Sequence, residues 1–362
     1  MARITLQSLA HSYKPRPLVA SDYAVREATH VWENGSAYAL LGPSGCGKTT
    51  LLNIISGLVV PSKGRVLFDE RDVTTLPTEK RNIAQVFQFP VIYDTMTVIE
   101  NLAFPLRNRR IPEAQIQRRV REVAEMLELS GQLEQRAAGL SADVKQKISL
   151  GRGLVRSDVS AVLFDEPLTV IDPHLKWQLR RKLKQIHREL KLTLIYVTHD
   201  QVEALTFADQ VIVMTQGKAV QTGTPDELFE RPQHTFVGHF IGSPGMNFLD
   251  AQVVGEQLKI GDSTLSLPAG RAQTLSRAGR TTVGIRPEFV ALSDSRDSGA
   301  LPATVSLVKD IGTHWMISAT VGDRVIRARV APDVRAPRVG DMAWFAVIGP
   351  HTCFYKDDRL IA

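Results

Sequence analysis

Short apolar runs that end in polar residues mark the first part of the chain. Residues 38–41, 161–164 and 192–197 are apolar or nearly so and have the length of buried strands. Each run is followed at once by glycine, acidic or hydroxyl-bearing residues. From about residue 153 to 235 such runs alternate with helical segments, which predicts parallel strands joined by helical crossovers. The pattern therefore favours an α/β domain.

The segment from about residue 90 to 152 has a different pattern. Its apolar residues Ile116, Val120, Val123 and Leu127 recur with the period of a helix that buries one face. Pro112 precedes this stretch, as expected where a helix begins. We therefore predict a helical insert between two parts of the α/β domain.

Beyond Pro232 the chain consists of short β-like runs broken by Gly, Asp and Pro. Residues 281–285, 303–308, 315–321 and 342–348 are such runs. Their spacing suggests a small β-barrel.

A glycine-rich loop follows the first apolar run and matches the pattern G-x-x-x-x-G-K-T. The residues after it are helical and apolar, so the motif has the strand–loop–helix context that it requires. Glycines let successive N–H groups point at phosphates, and the helix adds its positive N-terminus. We predict a nucleoside triphosphate site at Gly42, Pro43, Ser44, Gly45, Cys46, Gly47, Lys48, Thr49 and Thr50, with Lys48 at the β- and γ-phosphates and Thr49 as a Mg²⁺ ligand.

Three polar residues follow the other two strands. Asp165 ends the run at 161–164 and is placed to hold Mg²⁺ through water. Glu166 comes next and can accept a proton from the attacking water, because the chain turns at a strand's end; alternatively it only caps the next segment. His199 follows 192–197, where its imidazole could bond the γ-phosphate and orient the water, although a lone His is often structural.

Composition narrows the class of protein. Hydrophobic residues at 43% and charged residues at 23% describe an ordinary globular protein. No apolar stretch approaches about 18 residues, so we expect no transmembrane span, and the N-terminus lacks the apolar centre of a secretory signal. Cys46 and Cys353 are too few for a disulfide framework, which suggests a reducing cytoplasm. The net charge of +6 could favour an anionic membrane surface, but an ordinary surface explains it equally well.

These motifs occur in the order and at the spacing of ATPase subunits of ABC transporters, which the chain resembles. The ordered motifs are the phosphate loop, Gln88 after an apolar strand, Leu140-Ser141 before a long helix, Asp165-Glu166 and His199. Residues 198–205 and 221–225 are similar to the carbohydrate-importer branch, to which the maltose ATPase belongs. Residues 240–248 and 283–288 match patterns of that branch's accessory domain, and within the branch the chain looks most like one ATPase subunit of a glycerol importer.

The resemblance implies a fold and a division into domains. Residues 1–235 would form the ABC ATPase domain, with a RecA-like core at 1–89 and 153–235 and a helical subdomain at 90–152. Residues 236–362 would form an all-β, OB-like domain of the TOBE/MOP type. The sequence therefore predicts the α/β class, with a P-loop core and a C-terminal β domain.

The resemblance also implies roles for individual residues. Gln88 would ligand Mg²⁺ or the attacking water when the two lobes close, and 89–107 would line a groove for a helix of the membrane subunit. Tyr13 is the candidate for stacking on adenine, with a packed surface tyrosine as the alternative. Ser141 and Asp172 would contact nucleotide.

Partners and location follow from the same resemblance. We expect ATP and Mg²⁺ as cofactors, two membrane-spanning permease subunits, a solute-binding protein reached indirectly, and no nucleic acid. The chain would be peripheral, on the cytoplasmic face of the inner membrane, and would power import of glycerol or another polyol or sugar. The solute itself cannot be deduced, because ATPase subunits do not touch it.

One segment departs from the family pattern. Family members carry Leu-Ser-Gly-Gly-Gln where this chain has Leu140-Ser141-Ala142-Asp143-Val144. In the family this segment donates hydrogen bonds to the γ-phosphate on the other subunit of a dimer. Ala142 adds a methyl group there, and Asp143 would place a carboxylate beside a triphosphate unless it points away and caps its own helix. We therefore predict a heterodimer with a second ATPase subunit that carries an intact signature.

Two other functions remain open at this point. An OB-like barrel can bind oligonucleotides, so a soluble ATPase acting on nucleic acid or the ribosome is one alternative. The C-terminal region lacks the aromatic and basic clustering that such binding needs. The altered signature motivates the other alternative, a regulatory subunit that binds nucleotide without turnover, but the complete set of hydrolytic residues disfavours it.

Overall fold

The computed structural model describes residues 2–267, 271, 275, 280–293 and 299–361. The chain forms two compact units, Met1–Pro225 and Asp226–Ala362. Among the described residues, none of the helices has the length and apolar character needed to cross a bilayer.

The first unit contains the α/β elements. Its strands are β1 (Ile4–His11), β2 (Val25–Trp32), β3 (Ala37–Leu41), β4 (Lys63–Phe68), β5 (Arg71–Asp72), β6 (Ile83–Val86), β7 (Ala161–Asp165), β8 (Leu194–Thr198), β9 (Gln210–Thr215) and β10 (Lys218–Gly223). Its helices are α1 (Lys48–Ser56), α2 (Val98–Arg107), α3 (Glu113–Met126), α4 (Ala142–Leu154), α5 (Pro173–Leu190) and α6 (Gln201–Phe207).

The central sheet has the strand order β10-β9-β3-β8-β7-β6. Strand β3 pairs in parallel with β8 and β9, and β7 pairs in parallel with β6 and β8. The carboxyl ends of these strands therefore share one edge, where α/β sheets bind their ligands. The predicted α/β class is confirmed.

The predicted parallel pairing is wrong for the last strand of this sheet. Strand β10 pairs with β9 in antiparallel orientation. The two residues between them, Gln216 and Gly217, both have positive φ (48° and 76°). A two-residue connection of this kind forms a hairpin and leaves no length for a helical crossover.

A second sheet, antiparallel and ordered β2-β1-β4-β5, lies in the same unit. One hydrophobic core joins it to the central sheet and to α1. Contributors include Ile4 and Val66 from the antiparallel sheet, Leu40 from β3, and Leu51 and Leu52 from α1. This shared core holds the helix that begins at the phosphate loop between two sheets.

Helices α2, α3 and α4 form the predicted helical insert. Helix α3 buries Ile116, Val120 and Val123, as its period predicts. A capping box begins α2, in which Thr97 Oγ1 accepts from the Glu100 N–H and the Glu100 carboxylate accepts from the Thr97 N–H. A Cβ atom at Gly151 of α4 would lie 2.5 Å from a Leu102 methyl carbon of α2, so glycine allows these helices to approach closely.

The second unit is mainly β. Its helices are α7 (Pro225–Glu230), which begins at the junction, and α8 (Thr235–Phe240). Its strands are β11 (Asn247–Val254), β12 (Gln257–Ile260), β13 (Ser263–Ser266), β14 (Arg280–Ile285), β15 (Ala291–Ser293), β16 (Ala300–Asp310), β17 (Trp315–Val321), β18 (Arg324–Val330), β19 (Met342–Ala346), β20 (Cys353–Lys356) and β21 (Arg359–Leu360). They form two sheets, ordered β13-β12-β11-β14-β20-β21 and β15-β19-β16-β17-β18, in which every pair is antiparallel. The inner faces of both sheets contribute to a single hydrophobic core.

The two units divide at residue 225, whereas the sequence predicts a domain boundary at 235. Residues after 225 form hydrogen bonds with residues of the β sheets of the second unit or adjoining them. The Tyr355 hydroxyl donates to Pro232 O at 2.8 Å, and the Leu360 N–H donates to Gln233 O at 3.0 Å. The buried Arg286 guanidinium donates to Phe229 O and lies 4.1 Å from the Phe229 ring centroid, and burial lowers its pKa to about 10.

Candidate nucleotide-hydrolysis site

The phosphate loop joins the end of β3 to the start of α1, so the positive end of a helix points into it. Gly47 precedes α1 with φ of 101°, a conformation that favours glycine. A Cβ atom at Gly47 would lie 2.1 Å from Ala24 O, and one at Gly42 would lie 2.2 Å from Met214 O. Both glycines are therefore required by the packing around the loop.

Lys48 lies along the inside of this loop. Its side chain is buried, and Nζ donates to Gly42 O at 2.8 Å and to Pro43 O at 3.0 Å. The thiol of Cys46 is 3.9 Å from the same ammonium group. Burial raises the pKa of the Cys46 thiol despite this neighbour. The cation is thus held at the loop by carbonyl oxygens, and Cys46 stays in the unreactive thiol form.

Thr49 and Asp165 meet between α1 and the end of β7. Thr49 Oγ1 donates to Asp165 Oδ1 at 3.1 Å. Burial raises the pKa of the Asp165 carboxyl, and the neighbouring Glu166 charge raises it further, whereas the Thr49 bond and Lys48 lower it. A divalent cation would stabilise the charged form of this carboxylate.

These two side chains fit a Mg²⁺ ion. Mg²⁺ prefers oxygen ligands and is usually held by one or two protein groups together with substrate phosphates and waters. Among the described residues, no group of three or more His, Cys, Asp or Glu side chains forms a metal site made of protein alone. The hydroxyl of Thr49 and the carboxylate of Asp165 lie beside the phosphate loop and could both ligand Mg²⁺ there.

Glu166 and His199 form a second pair at the same edge of the sheet. His199 Nδ1 is 2.9 Å from Glu166 Oε2, and the Thr169 hydroxyl donates to the same oxygen at 3.3 Å. Glu166 has a left-handed backbone conformation, with φ of 47°, and its N–H donates to Val197 O at 2.9 Å. Because β7 ends here, Asp165 and Glu166 are not forced to opposite faces as they would be within a strand.

Gln88 lies two residues beyond the end of β6, rather than at the strand's end. It is half-buried, and no hydrogen bond joins its side chain to another described residue. Asp172 accepts a hydrogen bond from the His174 N–H at 2.9 Å and so caps the start of α5. Neither residue is joined by a hydrogen bond to the phosphate loop in the described part of the chain.

The altered signature lies at the start of α4. Ser141 is the N-cap residue, but its exposed hydroxyl makes no capping hydrogen bond. Ala142 is exposed and Asp143 half-buried in the first turn. Within the described residues the Asp143 carboxylate has no ion-pair or hydrogen-bond partner, so it does not cap its own helix.

Tyr13 lies beside the phosphate-loop helix. Its hydroxyl is 3.2 Å from Thr50 Oγ1, within hydrogen-bonding distance. Its ring packs edge-on against His11, with centroids 4.6 Å apart, and the residue is 65% exposed. One face of the ring is therefore accessible to a planar ligand near the loop.

Sequence analysis missed two buried side chains that hold the site together. Gln146 of α4 donates to Pro167 O at 2.7 Å and to Phe87 O at 3.4 Å, and so connects the signature helix to the segments after Glu166 and before Gln88. Arg81 donates to Ile54 O and Ile55 O at 2.7 and 2.9 Å and so caps the C-terminus of α1. No local pattern marks either residue, because their acceptors are backbone carbonyls remote in sequence.

A phosphate loop lies between β3 and α1, and acidic residues lie at the end of β7, which is separated from β3 only by β8. This arrangement defines a P-loop nucleotide hydrolase. Comparison with known proteins narrows this class. Residues 26–169 match the family described as ABC transporter, residues 242–290 the MalK OB fold domain, and residues 283–352 the TOBE domain.

Known proteins resemble this chain over most of its length. The sn-glycerol-3-phosphate import ATP-binding protein UgpC of Salmonella typhimurium is 40% identical over 347 residues, which is 95% of both chains. An uncharacterized ABC transporter ATP-binding protein, y4oS, of Sinorhizobium fredii is 41% identical over 319 residues, 86% of this chain and 83% of that one. Among solved structures, CbiO1 of Clostridium perfringens, part of the ABC transporter complex CbiONQ, has a TM-score of 0.57 at 26% identity and covers 63% of this chain and 90% of its own.

The chain belongs to the family of ABC transporter ATP-binding proteins. The predicted fold class, the resemblance to the carbohydrate-importer branch and the assignment as an ATPase coupled to import are confirmed. Like other members of this family, the chain uses ATP with Mg²⁺. The importer assignment also confirms membrane permeases and a solute-binding protein as its partners.

Proposed function

We propose that ATP is hydrolysed at the edge of the central sheet by two side-chain pairs, Thr49 with Asp165 and Glu166 with His199. The observation that carries this proposal is their convergence, with a hydroxyl 3.1 Å from the first carboxylate and an imidazole 2.9 Å from the second. Lys48 and the loop N–H groups bind the phosphates. Bound Mg²⁺, held by Thr49 and Asp165, would neutralise phosphate charge that develops during the reaction.

Glu166 is the general base of this proposal. A carboxylate only accepts hydrogen bonds, so His199 Nδ1 carries the proton in their contact and the imidazole orients the carboxylate. Thr169 donates to the same carboxylate oxygen, and Glu166 Oε1, which accepts no hydrogen bond from the described residues, is the atom that would accept a proton from water. Gln88, Ser141, Asp172 and Tyr13 complete the proposed site: Gln88 at the Mg²⁺ or water, Ser141 and Asp172 at nucleotide, and Tyr13 against adenine.

The variant Glu166→Gln tests the base. It keeps the shape of the side chain but removes the proton acceptor, so steady-state hydrolysis should fall by about 10²-fold or more. The dissociation constant for Mg²⁺-ATP should stay within about twofold, measured on the same preparation. Near-normal turnover by this variant in the assembled transporter would contradict the assignment, and Glu189→Gln, on the exposed end of α5, is the matched control.

We propose further that the chain acts at the cytoplasmic face of the inner membrane and powers import of glycerol, another polyol, a sugar or a phosphate ester of these. The 40% identity to a protein named for sn-glycerol-3-phosphate import supports this range of solutes. Reconstitution with permeases and the binding protein encoded by neighbouring genes, followed by uptake of each radiolabelled solute, tests it. ATP-dependent uptake of an unrelated solute alone would contradict the proposal, with Glu166→Gln as the inactive control.

The proposed motor is a dimer in which this chain pairs with a second ATPase that carries Leu-Ser-Gly-Gly-Gln. Support for a heterodimer comes from Ala142 and Asp143 in the signature, and the comparisons identify no second ATPase. In a homodimer, both nucleotides would face the carboxylate of Asp143, which has no partner in the described part of the chain. The choice between the two assemblies rests on the charge and size of these two side chains.

A further inference from the structure

The residues before and after Tyr13 in the sequence make contacts that position its ring. Its neighbour Ser12 donates through Oγ to Asp22 O at 2.7 Å. The other neighbour, Lys14, forms an ion pair through Nζ with the Asp22 carboxylate. Both chain neighbours of the aromatic residue are therefore attached to one acidic residue.

Asp22 also closes the loop that lies between Lys14 and Asp22 itself. Its Oδ2 accepts from the Leu18 N–H at 2.8 Å and from the Val19 N–H at 3.2 Å. The side chain is only 8% exposed although the loop itself is on the surface, and Leu18 is 89% exposed. The Lys14 bond and the two backbone N–H groups lower the pKa of the Asp22 carboxyl to about 2. The carboxylate is thus charged at every working pH and has protein donors on both oxygens.

The far end of this loop reaches the phosphate loop. Ala24, two residues after Asp22, lies against Gly47 so closely that a Cβ on the glycine would be 2.1 Å from Ala24 O. At the near end, the Tyr13 hydroxyl is 3.2 Å from Thr50 Oγ1 of α1. The aromatic ring is fixed relative to the phosphate loop by these two contacts, and Asp22 connects them.

We propose that Asp22 is a positioning residue for nucleotide binding, which holds Tyr13 where the base of a nucleoside triphosphate stacks. This inference rests on the base-stacking role proposed for Tyr13. An aromatic ring on a surface loop would lose much of its stacking free energy if the bound base had to order the loop first. Asp22 supplies that order in advance, through three donors and its own carbonyl oxygen.

A double-mutant cycle on the full-length chain tests the inference. Dissociation constants for Mg²⁺-ATP are measured by calorimetry for the parent, Asp22→Ala, Tyr13→Ala and the double variant. Stacking of a base on an aromatic ring is strong enough that Tyr13→Ala should weaken binding about five- to tenfold. Asp22→Ala should weaken it by a similar factor, and the double variant should be no weaker than Tyr13→Ala, because Asp22 acts through the ring.

A ligand without a base separates positioning from general damage. Inorganic tripolyphosphate with Mg²⁺ reports on the phosphate loop alone, and its dissociation constant should change less than twofold in all three variants. Glu27→Ala, on the neighbouring strand β2, is the control for loss of one negative charge and should leave the ratio of the two dissociation constants unchanged. If Asp22→Ala does not fold, Lys14→Met replaces it and should reduce ATP affinity without reducing tripolyphosphate affinity.

The outcomes distinguish a failure of the positioning role of Asp22 from a failure of the base-stacking role of Tyr13. If Tyr13→Ala leaves ATP affinity unchanged, base stacking by Tyr13 is wrong and the role of Asp22 falls with it. If Tyr13→Ala weakens ATP binding but Asp22→Ala does not, only the role of Asp22 is overturned. Equal losses of ATP and tripolyphosphate affinity, or additive losses in the double variant, also overturn it.

Discussion

Glu166 adopts a backbone conformation that residues with a Cβ atom rarely take, with φ of 47°. Such a conformation costs about 1–2 kcal/mol. It begins where β7 ends, and it leaves Asp165 bonded to Thr49 while Glu166 contacts His199. The sequence gives the order Asp-Glu after an apolar run, which is enough to predict two carboxylates at one edge. The left-handed turn that brings both into the site depends on contacts with β8 and could not be deduced from the sequence.

The raised pKa of Asp165 predicts a pH-dependent stability of the nucleotide-free protein. Burial makes the folded state hold a proton on this carboxyl more tightly than the unfolded state does. Its favourable contribution is therefore complete below the ordinary carboxylate pKa and is lost as pH rises through the raised pKa. We expect Asp165→Asn to raise the melting temperature at pH 7 and to have little effect near pH 4, measured by calorimetry without nucleotide.

Asp209 provides a control of opposite sign. The His187 hydrogen bond, and next the Ala37 N–H, lower the pKa of this carboxyl in the folded state. Its contribution is present above the ordinary carboxylate pKa and disappears as pH falls through the lowered one. Asp209→Asn should therefore lower the melting temperature at pH 7, with a smaller deficit in acid. A decrease in stability for Asp165→Asn at pH 7 would contradict the sign argued for that site.

At the scale of elements, the sequence predicts helices with a clear apolar period best. It predicts worst the positions where strands end and where the chain turns. Helix α3 follows from its apolar positions Ile116, Val120 and Val123, because they bury one face of the helix. The position of Gln88 beyond β6 does not follow, because the strand ends at Val86 although the apolar run continues to Phe87. The β9–β10 hairpin depends on the positive φ values of Gln216 and Gly217. Only the second of these is a residue type that marks such a turn.

Gln146 predicts how tightly α4 is attached to the sheet. It is fully buried, and its amide group is the donor to Pro167 O, although its own Oε1 has no hydrogen-bond partner among the described residues. Gln146→Leu would leave a buried carbonyl without a donor, a cost of about 1–3 kcal/mol, and would remove an unpartnered oxygen, which offsets part of it. We expect a net loss of about 1 kcal/mol in the free energy of unfolding, a melting temperature about 2–4 °C lower.

Gln117→Leu is the matched control for that variant. Gln117 is half-buried on α3 and donates to the exposed Glu113 at 2.9 Å. A surface substitution of this kind should change stability by less than about 0.5 kcal/mol. If the two variants unfold at the same denaturant concentration, the buried contact of Gln146 does not stabilise the domain.

For the whole molecule, the division into two units decides where the chain can be cut. The boundary falls at Pro225 rather than 235 because Phe229, Pro232 and Gln233 are bonded to the β unit. These bonds join residues more than 50 positions apart, so no local composition change marks the boundary. A chain that ends at 235 would carry the buried Leu228 without Arg286, whose guanidinium donates to the Leu228 carbonyl oxygen at 3.3 Å.

We expect a fragment of residues 1–225 to fold and to bind Mg²⁺-ATP within about twofold of the full chain. The reason is that the phosphate loop, Asp165, Glu166 and His199 all lie in the first unit with their hydrogen-bond partners. Calorimetry on both fragments checks this, and the fragment 1–235 should be less soluble. Loss of nucleotide binding by a cooperatively folded 1–225 fragment would show that the β unit takes part in the site.

The composition of the working dimer depends on two side chains at the start of α4. Asp143 is half-buried without a cation or a capping bond among the described residues, so nothing there offsets its charge. Two unit charges about 4 Å apart repel by roughly 4 kcal/mol at an effective dielectric of about 20. The positive end of a helix stabilises a nearby negative charge by only about 0.3–1 kcal/mol. A signature of this kind should therefore close poorly on the nucleotide of a second copy.

Replacing Ala142 and Asp143 together by glycine should strengthen ATP-driven dimerisation of this chain about tenfold or more. The experiment uses analytical ultracentrifugation in the Glu166→Gln background, where ATP is not consumed. Asp143→Asn isolates the charge, and its share of the gain should shrink as salt screens the repulsion. In the background with Glu166 intact, the Gly-Gly chain should also hydrolyse ATP faster than the parent. If the parent alone dimerises with ATP as tightly as the Gly-Gly variant and hydrolyses it as fast, the chain works as a homodimer and the proposed heterodimer is wrong.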